Sequence, residues 1–209
     1  MKAHLEKLNI KSNWKEHKTP YSLCIVDWDT KVYKEQGLVP QYSGGCCVYM
    51  KDNIPSLTNG KQPHFVEVVC ASSMNMISTG LKKHAWRKNN VGQCDAILLP
   101  ASDAEGDAML FVETKYSNKE GSWKNYREDS LKQITDTIQE LQERKCPLTE
   151  RILYGLISFP LLRAEVFGAS MFDKSELAEI YSKYQLNLYV SNRVIYKDEH
   201  EIEVPKSIL

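Results

Sequence analysis

Apolar residues fall into short runs of strand length, separated by turn-forming polar stretches, with two helical patterns in the second half of the chain. Residues 21–28 and 44–50 read as strands joined by a loop containing glycine and proline. Residues 51–63 read as a connection through Pro55, Asn59-Gly60 and Pro63. Residues 1–20 are polar and lysine-rich and are expected to form a short helix or an ordered arm. Residues 65–77 fit two periods. Val66, Val68 and Cys70 alternate as in a strand, whereas Phe65, Val69 and Met76 share a helical face, and length with alanine and methionine content favours a helix. A short strand is expected at 81–86 and a turn at 87–93.

The pattern sharpens from residue 94. Residues 94–100 and 108–116 read as strands paired in a hairpin-like arrangement across a turn-rich link. The spacing of Leu131, Ile134, Ile138 and Leu141 predicts one apolar stripe on a helix over 123–144, ended by Pro147. A buried strand follows at 152–162, then a helix at 173–184 capped by Asp173 or Ser175, then one or two strands within 186–196. Strands and helices in this order predict an α/β fold with a small mixed sheet flanked by helices. Length predicts a single domain over 1–209, with 65–162 as its core, 1–62 as an N-terminal elaboration and 163–209 as C-terminal helix and strand elements. Neither GxGxxG nor GxxxxGK[ST] occurs, so a serial dinucleotide or P-loop fold is not expected.

Composition narrows the class. The chain of 209 residues has 42% hydrophobic and 26% charged residues and a formal net charge of zero. That balance argues against a strongly basic, non-specific nucleic-acid binder, but allows an enzyme with one local basic patch. The N-terminal residues lack the apolar core of a secretory signal, and no run is long enough to span a bilayer. Six cysteines form no CxxC pair, so a structural zinc cluster is not expected, and a reduced cytoplasmic protein is the simplest reading.

Charge then appears where it is costly. The run 109–115 reads MLFVETK: an apolar strand ending in an acid and a lysine. Residues two apart on a strand share a face, so Glu113 and Lys115 lie with Met109 and Phe111, while Leu110, Val112 and Thr114 face the other way. Both faces are apolar before Glu113, as for an interior strand covered by helices. Charges there require pairing, hydration or a metal. Asp95 begins the neighbouring strand, and antiparallel pairing would bring it to Glu113. Two converging carboxylates suit a hard cation such as Mg²⁺, and a lysine beside them suits a phosphate or a polarised water.

Asp95, then Glu113-Thr114-Lys115 at the end of an apolar strand, then a helix and another strand, resembles the PD-(D/E)xK nuclease superfamily across about 65–162. The proline that often precedes the aspartate is replaced by Cys94. The resemblance implies a restriction-endonuclease-like core and a Mg²⁺-dependent deoxyribonuclease, with Mn²⁺ able to substitute. It implies that Asp95, Glu113 and the Thr114 backbone carbonyl ligate the metal, and that Lys115 orients the attacking water and stabilises charge on phosphorus. Glu67 would be a further acid if 65–77 is helical, and Gln133 on the following helix would touch phosphate or order the site. A restriction or defence endonuclease is the niche it implies, with a homodimer for double-strand cleavage. The alternatives are a non-catalytic nucleic-acid-binding or scaffold protein that keeps the fold, and a metal-dependent phosphoesterase acting on a small substrate.

The candidate DNA-binding cations are Lys82, Lys83, Arg87 and Lys88, the densest basic run, and Lys119, Lys124, Arg127 and Lys132 around the long helix. Trp123 is expected to pack rather than stack on bases. Asp27-Trp28-Asp29 reads as a turn rather than a second acid pair. Two other ExK triplets, at 16–18 and 143–145, lack the strand context.

Overall fold

The computed structural model describes residues 14–41, 45–81, 91–102, 104–117, 123–162 and 171–205. Its α/β architecture has two mixed sheets. Among the described residues the strands are β1 (Lys15–His17), β2 (Ser22–Asp27), β3 (Cys46–Met50), β4 (Val66–Cys70), β5 (Met76–Gly80), β6 (Ala96–Pro100), β7 (Ala108–Thr114), β8 (Ile152–Ser158), β9 (Leu186–Val190), β10 (Arg193–Tyr196) and β11 (Ile202–Glu203). The helices are α1 (Lys31–Lys34), α2 (Trp123–Glu143) and α3 (Lys174–Tyr184). A six-stranded sheet has the order β1-β5-β6-β7-β8-β9, and a five-stranded sheet the order β11-β10-β4-β2-β3.

The hairpin of β6 and β7 forms as expected, with Ala96 opposite Val112 and Leu98 opposite Leu110. Strand β8 runs parallel to β7 and places Glu113 beside Ile157. Alternation along β7 sorts its side chains as the pattern predicts. Met109 and Phe111 pack in one core with Ile134, Ile138 and Leu141 of α2, while Leu110 and Val112 pack in another with Leu23, Ile25, Val66 and Val68. The expectation that helices cover both faces is corrected here. Helices α2 and α3 cover one face, and the five-stranded sheet covers the other, so the described residues form three layers. A strand buried by a sheet reads as continuously apolar just as one buried by helices does.

The favoured helix over 65–77 is also overturned. Those residues hold the whole of β4 and the start of β5, which lie in different sheets. Val66, Val68 and Cys70 face the inter-sheet core, so the two-residue period describes the segment. The N-terminal part described contributes to both sheets: β1 pairs with β5, and β2 lies between β3 and β4. Within the expected arm, 15–17 form a short edge strand, and 1–13 lie outside the described residues. Of the expected strand at 81–86 only Leu81 is described, and 82–90 lie outside the described residues.

Helix α3 starts as its sequence indicates. The Asp173 carboxylate accepts from the Glu176 N–H while Glu176 accepts from the Asp173 N–H, a reciprocal capping box. No helix of the described residues is long and apolar enough to cross a membrane.

Candidate functional site

The ladder between β6 and β7 changes at Asp95. Its N–H donates to the Val112 carbonyl at 2.8 Å, although Val112 is already opposite Ala96. Two consecutive residues therefore face one, a bulge-like offset that re-aims the first of them. The Asp95 carboxylate in turn captures Thr114: Oδ2 accepts from the Thr114 N–H at 2.7 Å and from its hydroxyl. The residue expected to offer a carbonyl to a metal thus uses its two donors to hold Asp95.

Glu113 is 2% exposed. Its Oε1 pairs with Lys115 Nζ at 2.8 Å, and its Oε2 is buried without a hydrogen-bond partner. Lys115 Nζ also donates to Gln133 Oε1 at 2.6 Å and to Asp129 Oδ2 at 2.7 Å, both on α2. Gln133, expected to touch phosphate or order the site, thus lies at hydrogen-bond distance from Lys115. Asp129, four residues earlier on the same helix face, joins it unannounced.

A cleft of about 360 Å³ opens beside Asp95, and its walls include Asp27, Asp29, Cys46, Gly92, Gln93 and Gln133. Asp27 closes β2 and pairs with Cys46 of β3, so the five-stranded sheet brings it to the cleft. The reading of 27–29 as a turn holds for Trp28 and Asp29 and fails for Asp27, which ends a strand. The cleft wall at 92–94 is pinned to α2: Gly92 N–H donates to Asp136 Oδ2 and Cys94 N–H to Thr137 Oγ1, each at 2.8 Å. A Cβ on Gly92 would stand 2.8 Å from that Asp136 oxygen, so glycine permits the close approach.

These carboxylates resist ionisation together. Burial, then the Asp95 charge, pushes the Asp27 carboxyl up to about 7. Burial raises Asp95 as well, against the Thr114 hydrogen bonds and the Lys115 charge. Glu113 is held well above the carboxylate range by burial and then by Asp95, with Lys115 opposing. Burial works to discharge Lys115, but Glu113 and Asp129 outweigh it and hold the ammonium above its ordinary value. A cation placed among the acids would relieve this repulsion.

The donor set fits a hard divalent ion: carboxylate oxygens, one of them an orphaned buried oxygen on Glu113. Among the described residues no three His, Cys, Asp or Glu side chains form a ready cage. An ion here would draw on two carboxylates and complete its shell with carbonyl and water, as Mg²⁺ commonly does.

Other expected residues fall elsewhere. Glu67 is on β4, not on a helix, and binds Lys51 at 2.7 Å, Arg193 at 3.1 Å and Ser22 at 3.0 Å, none of which lines the cleft. Burial works against its charge, but the bonds from Lys51 and Ser22 outweigh it and hold its carboxyl low. Arg127, expected as a DNA contact, pairs with Glu176 and lies 4.7 Å from the Phe172 ring centre. Lys132 pairs with Asp136 on its own helix. Lys124 is engaged rather than free. Lys82, Lys83, Arg87, Lys88 and Lys119 lie outside the described residues, as does the Trp123 side chain.

No protein-family model matches the chain, and comparisons with curated proteins and with solved structures return no match.

Proposed function

We propose that the chain is a Mg²⁺-dependent phosphodiester hydrolase acting on DNA, with a site of the PD-(D/E)xK kind in a restriction-endonuclease-like core. The supporting observation is that Asp95, Glu113, Lys115 and Gln133 meet at one end of two adjacent strands, beside a cleft, with their carboxylates held above their ordinary pKa range. Asp95, Glu113 and the Thr114 carbonyl would hold Mg²⁺, or Mn²⁺ in its place. Bound there, the ion would supply charge neutralisation and an acidified water. Lys115 stabilises charge on the phosphoryl oxygens and orients the attacking water. Gln133 fixes the lysine from α2 and also lines the cleft. Thr114 holds the Asp95 carboxylate in one orientation through two hydrogen bonds. All six cysteines are thiols rather than disulfides, which fits a cytoplasmic setting. A restriction or defence role, with a homodimer to cut both strands, completes the reading.

Two observations favour the small-ester alternative. The cleft has the volume of a small-molecule site, and Arg127 and Lys132, both expected to grip DNA, are tied to acids.

The deciding experiment gives the protein supercoiled plasmid, linear duplex, single-stranded DNA and a simple phosphodiester such as bis-p-nitrophenyl phosphate. Each is incubated with Mg²⁺, Mn²⁺ or EDTA, beside Asp95→Asn, Glu113→Gln and Lys115→Ala. Metal-dependent DNA cleavage lost in all three variants is the expected result. Turnover of the small ester alone would move the assignment to a small-substrate phosphoesterase. Folded protein that cuts nothing would leave a binding role.

A further inference from the structure

We propose that Asp129 is an internal anion that occupies Lys115 until a substrate phosphate displaces it. The inference rests on the reading that Lys115 receives a phosphate, and it identifies the residue that controls access to the lysine.

An ammonium has three N–H donors. Lys115 donates to Gln133 Oε1 at 2.6 Å and Asp129 Oδ2 at 2.7 Å and forms an ion pair with Glu113 Oε1 at 2.8 Å. Three protein oxygens within 2.8 Å crowd the ammonium, so a phosphate oxygen comes into contact with it by replacing one of them. The acceptors differ in how readily they leave. The Glu113 side chain is 2% exposed, and freeing it would strand a buried carboxylate. Gln133 is half-buried between the lysine and the cleft. The Asp129 side chain is 59% exposed and can turn into water at little cost. It also matches the incoming group: an anionic oxygen at hydrogen-bond distance from the same nitrogen. Asp129 is thus a stand-in for the phosphate, keeping Lys115 extended between β7 and α2 while lowering its affinity for an anion.

The test titrates inorganic phosphate, with Mg²⁺ and separately in EDTA, into wild type, Asp129→Asn, Asp129→Glu and Lys115→Gln, followed by ³¹P relaxation. DNA-cleavage kinetics and thermal melts run alongside. Asp129→Asn is expected to bind phosphate about fivefold more tightly and to lower KM more than it changes kcat, with its melting temperature kept. Asp129→Glu is expected to restore wild-type affinity. Unchanged or weaker phosphate binding in Asp129→Asn, while Lys115→Gln still loses it, would overturn the competition. If Lys115→Gln leaves both phosphate binding and cleavage intact, the placement of a phosphate at Lys115 itself fails.

Discussion

Asp27 ends β2 of one sheet, Asp95 immediately precedes β6 of the other, and the two share one cleft, where burial and then the Asp95 charge lift the Asp27 carboxyl to about 7. The site is therefore a product of both sheets. An acid whose pKa is raised on folding binds its proton more tightly in the folded state than in the unfolded one. Its contribution is fully present below the unfolded value, near 4, and is lost as pH rises through about 7. Metal-free protein is expected to lose stability across that window, and Asp27→Asn to flatten the loss. Melting temperatures at pH 5, 6, 7 and 8 in EDTA provide the measurement, and an identical slope in the variant would refute the assignment.

Lys115→Ala is expected to destabilise the fold as well as the proposed chemistry. It leaves Glu113 buried without its cation, a change that costs about 3 kcal/mol when the acid is ionised. Because Glu113 is already pushed upward, the cost should grow with pH as its proton is lost. Urea denaturation at pH 6 and pH 8 reads this directly. Adding Glu113→Gln should recover most of the loss without restoring cleavage, which separates folding from catalysis.

Gly80→Ala should disturb the meeting of the two sheets. A Cβ there would stand 1.8 Å from the carbonyl oxygen of Cys46, a backbone atom that cannot swing aside. Cys46 lines the cleft next to Asp27, so strand β3 must retreat from β5 at the cleft. A loss of about 2–3 kcal/mol, or roughly 5–10 °C in melting temperature, is expected by circular dichroism. A variant melting with wild type would show that the sheets yield more easily than this contact implies.

Arg127→Ala distinguishes packing from DNA contact. The side chain links α2 to Glu176 of α3 and covers Phe172. Stability should fall by about 1 kcal/mol, while the slope of log affinity for DNA against log salt stays as in wild type. A slope reduced by about one would instead assign Arg127 to a phosphate.

What the sequence alone determined was local. The β6–β7 hairpin, the α2 stripe and the start of α3 at a capping residue are written in residues a few positions apart. Backbone geometry turns such spacings into faces and caps without reference to the rest of the chain. The Glu113-Lys115 pair was legible for the same reason, since charge at the end of a strand apolar on both faces demands a partner wherever the strand lies. Tertiary structure alone decided the rest. Residues 65–77 carry two periods, and only pairing with β2, β10, β1 and β6 divides them into strands of separate sheets. That division sends Glu67 to Lys51 and Arg193. Asp27 reaches the cleft because β2 lies in a sheet packed on the back of β7, and Asp129 reaches Lys115 because α2 crosses the front. Both approaches depend on hydrogen bonds and buried surface between segments far apart in the chain, and no local spacing encodes them.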